Sequence, residues 1–119
     1  MSEQLPKKPE QRHYLRVDME LPVRLEFDGR VIESTTENIS CGGMFLPKNN
    51  ETTAKKDDLL TAFITLPETK KEIRMTGKIC RIQKNADNTS SLAIQFSGLY
   101  DENHHEIDRL IKWRKHGLN

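Results

Sequence analysis

The clearest strand pattern of this chain lies in LPVRLEFDGRVIESTTENIS, residues 21–40. Apolar side chains occupy every second position of residues 21–27, which is the period of a strand with one buried face. The dipeptide Asp28-Gly29 tolerates the positive φ of a tight turn, and residues 31–39 then supply a β-branched, threonine-rich return strand. The stretch therefore predicts an antiparallel hairpin.

The same alternation recurs further along the chain. It predicts a short strand at residues 44–46, a second hairpin from residues 60–66 and 73–79, and a last strand at residues 92–96. The polar residues 47–58 are typical of a surface loop. About six strands joined by regular turns indicate a small β-barrel or sandwich.

The N-terminal residues differ from this pattern. Residues 1–17 contain Pro6 and Pro9 among charged groups and lack apolar periodicity until Tyr14, which predicts a flexible basic arm. Such an arm suits an anionic partner, although a run of positive charge is also typical of a solvated tail. The folded domain is expected to span residues 18–119.

Past Gly98 the apolar spacing becomes helical. Asn103 with Glu106 three residues later predicts a capping box. Ile107, Leu110 and Ile111 can share one face of the helix, which is the face expected to pack against the strands.

Composition narrows the classes of function. The chain has 119 residues, of which 34% are hydrophobic and 31% charged, with a net charge of +1. This length fits one domain with a thin core, which disfavours a large buried catalytic cavity, so we expect no enzyme. Cys41 and Cys80 are too few for a disulfide scaffold or a four-ligand zinc site. With no signal-like segment and no apolar run of roughly 20 residues, a cytoplasmic location is expected.

Two short motifs carry the functional interpretation. Arg12 and Arg16 form R-x-x-x-R in the arm, and Asn38, Ser40 and Gly43 form [DN]-x-S-x-x-G between two strands. Each is weak alone, and the second is also an ordinary turn sequence. In this order, 22 residues apart and followed by the strands and the helix, they resemble the two signatures of the PilZ domain family.

The resemblance implies a six-stranded antiparallel β-barrel with a flexible N-terminal arm and a C-terminal α-helix. It also implies a receptor for cyclic di-GMP, the second messenger of bacteria, with the ligand held between the arm and the turn and the signal passed to a protein partner. No cofactor and no metal are expected, and neither nucleic acid nor direct membrane insertion. The ligand-binding residues implied by the resemblance are Gln11, Arg12, Arg16, Asn38, Ser40, Gly42 and Gly43.

The chemistry of these residue types suits that ligand. A guanidinium bonds phosphate bidentately, donates to guanine O6 and N7, or stacks on a base, whereas lysine lacks the fork and the flat surface. The amide of Asn38 both donates and accepts, and glycine lets the backbone approach closely. Gln11 stands where many relatives have a further arginine, which favours one ligand per chain.

The sequence is less consistent with other functions. A PilZ-type adaptor that signals without ligand would be expected where the arginine motif is missing. A barrel that binds single-stranded nucleic acid would need more stacking aromatics than the 6% present. Adjacent helical residues point about 100° apart, so His104 and His105 do not readily share a metal ion. Cys41 is expected to be a small, partly buried thiol, not a nucleophile.

Overall fold

The computed structural model describes residues 15–50, 53–98 and 100–116. The described residues form one antiparallel sheet with the strand order β1-β4-β5-β8-β7-β6-β2-β3, and one helix. The elements are β1 Val17–Asp18, β2 Pro22–Phe27, β3 Arg30–Thr35, β4 Asn38–Ser40, β5 Gly43–Asn49, β6 Leu59–Thr65, β7 Glu72–Lys84, β8 Ser90–Phe96 and α1 Glu102–His116. In the described part of the chain, no helix combines the length and the apolar character that crossing a membrane requires.

The first predicted hairpin is confirmed. β2 and β3 pair antiparallel up to Phe27 opposite Arg30, so the loop consists of Asp28 and Gly29 alone. Both loop residues have positive φ, 52° and 72°, as a two-residue hairpin turn requires. The alternation along β2 places Leu25 fully inside, with no exposed surface.

One hydrophobic core lies inside the curl of the sheet. It receives the inward side chains of all strands, for example Leu25 from β2 and Ile79 from β7. Helix α1 contributes Ile107, Leu110 and Ile111, all buried, as the helical spacing predicted. The helix packs near β1, β4 and β7, so it lies directly behind the strand that carries Asn38 and Ser40.

The two edges of the curled sheet do not meet as a ladder. Edge strand β3 lies against β5, where the hydroxyl of Ser34 donates to Oδ1 of Asn49 at 2.5 Å. The amide of Asn49 donates to the carbonyl oxygens of Leu46 (3.1 Å) and Ser90 (2.9 Å). Asn49 is only 4% exposed, so these bonds satisfy a buried amide that would otherwise destabilise the fold.

The prediction of six strands was wrong, because the residues that the structure describes already form eight. The strand predicted at residues 31–39 is broken at Thr36, whose hydroxyl donates to the carbonyl of Met19 (2.6 Å) and accepts from the amide of Leu21 (2.9 Å). The backbone amide of Thr36 also donates to the carbonyl of Leu21 (3.0 Å), so this buried threonine holds a corner of the chain. The chain resumes as β4, which pairs with the two-residue β1. A strand of two residues has too little periodicity to be predicted.

Two predicted boundaries also differ. β5 continues to Asn49, through residues assigned to a loop, because the carbonyl of Pro47 accepts from Ser91 at 2.7 Å and keeps the strand beside β8. β7 continues to Lys84, five residues beyond its predicted end, since β8 pairs with it that far.

The cap of α1 is Asp101, so the predicted capping box of Asn103 with Glu106 was wrong. One carboxylate oxygen of Asp101 accepts from the amides of Asn103 (3.0 Å) and His104 (3.1 Å), which are the bonds of an N-cap residue. Glu106 instead forms an ion pair with Lys71 at 3.3 Å.

Replacement of Gly43 should open the sheet. A Cβ at this position would stand 2.2 Å from the carbonyl oxygen of Ile94, part of the backbone of β8. Gly43→Ala is therefore expected to lower the free energy of unfolding by about 1–3 kcal/mol or more, measured by urea denaturation. Gly29→Asn is the control, since its Cβ meets nothing within 4 Å and asparagine tolerates positive φ. Equal losses in the two variants would contradict the packing role.

The cap predicts a dependence of stability on pH. Hydrogen bonds from His104 lower the pKa of Asp101 below its ordinary 3.8 in the folded state. Its ionised form therefore stabilises the fold above that pH, and this contribution is lost as the pH falls through the folded pKa. The melting temperature should be lower for Asp101→Ala than for the unmodified chain near pH 6, and the difference should shrink towards about pH 2. Glu102→Gln controls for helix-end charge; a difference that stays constant with pH would argue against the cap.

Candidate functional site

An open groove of about 1020 Å³ lies on the outer face of β4, β5, β8 and β7. It is lined by residues of the predicted motifs, Arg16, Asn38, Ser40, Gly42 and Gly43, and by further side chains of β5, β7 and β8. The core fills the other face of these strands, so a ligand can reach the motif residues only from the groove side.

β1 brings the described residue of the arginine motif to the turn. Val17 pairs with Ile39 and Asp18 pairs with Asn38, which fixes Arg16 beside the start of β4. The guanidinium of Arg16 donates to Oδ1 of Asn38 at 2.5 Å, so the structure brings together residues that are 22 positions apart.

Two predicted ligand-binding residues, Gln11 and Arg12, lie outside the described residues. Arg16 is therefore the described arginine of the motif, and it lines the groove. Its side chain is exposed, and the Asn38 side chain is half-buried, so both have polar groups that a solute can reach.

The turn residues shape the floor of the groove through bonds among themselves. The hydroxyl of Ser40 accepts from the amide of Gly42 (3.0 Å) and lies 3.4 Å from the carbonyl of Gly43, to which it donates. Ser40 is only 2% exposed. The hydrogen bonds of Ser40 stabilise the turn, and Gly43 permits the close pairing with β8. These two motif residues therefore determine the backbone conformation of the site.

Cys41, between the motif residues, points away from the groove into the core. Its thiol lies 3.6 Å from the carbonyl of His104 in α1 and donates to it. Burial, with the charge of Asp108, raises the pKa of Cys41 to about 11. A thiol with that pKa is protonated at neutral pH and is a poor nucleophile, in keeping with the prediction of a buried structural thiol.

His104 and His105 take part in local contacts at the start of α1. The ring of His104 lies 2.9 Å from the carboxylate of Asp101 and stacks on Tyr100, whose ring also meets His105 edge to face. Within the described ranges, no three histidine, cysteine or acidic side chains group as metal ligands would.

The sequence interpretation missed several residues of the groove, of which Arg81, Phe45 and Ala93 form one row. Phe45 pairs with Ala93, and Ala93 pairs with Arg81, across β5, β8 and β7. Arg81 was missed because β7 was expected to end at residue 79. The apolar residue Ile82 is the sequence signal that the strand continues, and its side chain is half-buried in the structure. The groove also contains one described acid, Glu37, beside the two described arginines.

Comparison with solved structures finds the same fold in three bacterial proteins. The inhibitor of motility MotI (DgrA) of Bacillus subtilis superposes with a TM-score of 0.77 at 20% identity, covering 92% of this chain and 53% of MotI. The PilZ domain of CeSA from a cellulose synthesizing bacterium gives 0.66 at 14% identity, covering 86% and 99%. The PilZ domain of Escherichia coli YcgR, determined with c-di-GMP, also gives 0.66 at 14% identity, covering 92% and 99%.

The chain thus spans about half the length of MotI and nearly all of the two isolated PilZ domains. A search of curated proteins gives no significant match. The family model of the PilZ domain matches residues 10–113, a range that includes both motifs, all eight strands and most of α1. The chain therefore belongs to the PilZ domain family.

Proposed function

We propose that this chain is a cytoplasmic receptor for cyclic di-GMP that signals to a protein partner and is not an enzyme. The observation that carries the proposal is the contact between Arg16 and Asn38 at the rim of the groove, where the two family motifs meet. Family membership and the c-di-GMP held by the YcgR domain support the choice of ligand. Among known small-molecule sites, volumes of about 300–1000 Å³ are usual, so the groove is large enough.

The groups at the rim match the chemistry of a cyclic dinucleotide. The guanidinium of Arg16 can bond a phosphate with two parallel hydrogen bonds or donate to the O6 and N7 acceptors of guanine. Asn38 has an amide that donates and accepts, which suits the polar edge of guanine. The hydrogen bond between Arg16 and Asn38 uses Asn38 Oδ1 and one guanidinium nitrogen, so the other N–H groups of Arg16 remain for a ligand.

The turn contributes backbone geometry to this proposal. Ser40 and Gly43 fix the path of the chain from β4 to β5, and Gly42 lines the groove without a Cβ that would keep a ligand away. Of the predicted ligand-binding residues, Gln11 and Arg12 precede the described residues. We propose that Arg12 binds the ligand together with Arg16, and that the loss of a cation at Gln11 limits binding to one ligand per chain.

The proposed signal is the ordering, over the groove, of the N-terminal residues that precede β1. A ligand bonded to Arg12, Arg16 and the turn at once would join the N-terminal residues to the sheet and create a composite surface. A protein partner that contacts both parts of this surface would bind the liganded chain more tightly. The groove residues support the proposal for the chemical nature of the ligand, not that of the partner.

Calorimetric titration with cyclic di-GMP tests the receptor function. The unmodified chain should bind one ligand, and Arg16→Ala should weaken binding by about 10- to 150-fold, the equivalent of one lost charge-assisted hydrogen bond. Arg16→Lys should recover little, since lysine lacks the fork.

Arg74→Ala is the matched control for this titration. Arg74 is an exposed arginine on the same strand as Arg81, seven positions away, or about 23 Å along an extended strand. Its removal should leave the affinity unchanged. Undiminished binding by Arg16→Ala, or no binding by the unmodified chain at micromolar concentrations, would exclude the proposed site.

Amide hydrogen exchange tests the proposed ordering. On addition of cyclic di-GMP, exchange in residues 8–16 should slow, because bonds to the ligand restrain their backbone, while the core strands β2 and β6, which do not line the groove, should change little. The Arg16→Ala variant at the same ligand concentration is the control. Identical exchange of residues 8–16 with and without bound ligand would reject the ordering while leaving the binding site intact.

A further inference from the structure

The floor of the groove contains a gap between two large side chains. Phe45 in β5 and Arg81 in β7 each pair with Ala93, which lies between them in β8. Directly paired residues project on the same side of a sheet, and all three line the groove. Alanine has only a methyl group, so the middle residue of this row is far smaller than Phe45 and Arg81 on either side, and this difference in size defines the gap.

A β-bulge lies beside this gap, at Arg81. The pairing of β7 with β8 shifts between Ile79 and Arg81, so Cys80 and Arg81 together stand opposite Ala93. The thiol of Cys80 donates to the carbonyl of Ala93 at 3.4 Å, which holds the bulge in place. Bulges commonly redirect a side chain next to a binding site.

The guanidinium of Arg81 is available to a ligand. In the part of the chain that the structure describes, no hydrogen bond or ion pair engages Arg81, and the residue is exposed. By contrast, Arg24, on the outer face of β2, is held by Glu26 and Glu72 and stacks on Phe63. The guanidinium of Arg24 thus stabilises the sheet, whereas that of Arg81 remains accessible to a ligand.

The width of the gap suits a flat ring. Two strand spacings place the Cα atoms of Phe45 and Arg81 about 9.6 Å apart. A planar ring that contacts a flat group on each face needs about 7–8 Å, since non-bonded carbon atoms pack at about 3.5–4 Å. Aromatic rings and guanidinium groups are both favourable stacking partners for a nucleobase.

We infer that Phe45, Ala93 and Arg81 form a slot that takes one purine base, stacked between the phenyl ring and the guanidinium with the Ala93 methyl beneath it. The inference rests on the proposed function and assigns one base of the dinucleotide to this slot. Phosphate and the other polar edges then face Arg16 and Asn38 at the rim. The slot adds a stacking site to the polar contacts of the two motifs.

Filling the slot tests the inference. Ala93→Val places two methyl groups in the gap and should weaken cyclic di-GMP binding by about 5- to 150-fold, the range for loss of one stacked base. Valine suits an outward position in a strand, so the melting temperature should stay within a few degrees. Affinity equal to that of the unmodified chain would overturn the slot.

Two substitutions of Arg81 distinguish the contribution of charge to binding from that of stacking. Arg81→Lys keeps the cation but loses the flat surface, so it should bind nearly as weakly as Arg81→Gln. Arg74→Lys and Arg74→Gln are the matched controls and should bind normally. Full affinity in Arg81→Lys would show that only charge is needed and would overturn the stacking.

A spectroscopic measurement reports the stack without depending on affinity. In the complex with the unmodified chain, the H8 proton of one guanine should shift upfield because it lies over the ring of Phe45, and Phe45→Leu should remove that shift. If binding depends on Arg16 but no shift occurs and Ala93→Val binds normally, the slot is wrong and the receptor function stands. If the unmodified chain does not bind cyclic di-GMP, both proposals are overturned.

Discussion

The arrangement of the groove depends on two backbone pairs, Val17 with Ile39 and Asp18 with Asn38. They attach the residue after Arg16 to the strand that carries Asn38, so the position of Arg16 is fixed relative to the sheet. The corner at Thr36 makes this possible, because its hydroxyl holds Met19 and Leu21 while the chain turns from β3 to β4. Without this corner, β1 and β4 would not meet, and the two motifs would stay apart.

The second motif shows how one short sequence supports both fold and site. Ser40 is buried and bonds within its own turn, and Gly43 is needed because the backbone of β8 lies where its Cβ would be. Cys41 contacts the carbonyl of His104 in α1. Only Asn38 and Gly42 present groups that a ligand in the groove can readily reach. Substitutions in this motif therefore affect folding and binding together, whereas Arg16 can be changed with little effect on the core.

Much of the fold could be predicted from the sequence because alternation with period two is strong in β2, β6 and β8. The Asp28-Gly29 turn and the buried face of α1 were predicted for the same local reasons. What could not be predicted depends on distant contacts. β1 is defined by its pairing with β4, the break at Thr36 by bonds to Met19 and Leu21, and the extended end of β7 by β8. Arg81 was not predicted in the groove because β7 was expected to end at residue 79, and the bulge that places Arg81 opposite Ala93 depends on pairing with β8.

The anchoring of Arg16 has a kinetic consequence for the other arginine of its motif. Four residues of chain span at most about 14 Å, so the Cα atom of Arg12 stays within that radius of the Cα atom of Arg16. If the proposed ligand is held at the rim, the guanidinium of Arg12 would meet it at an effective concentration of about millimolar or above, because the covalent tether keeps the two arginines close. The spacing of the two arginines would then make the second contact intramolecular, and lengthening that spacing would dilute it.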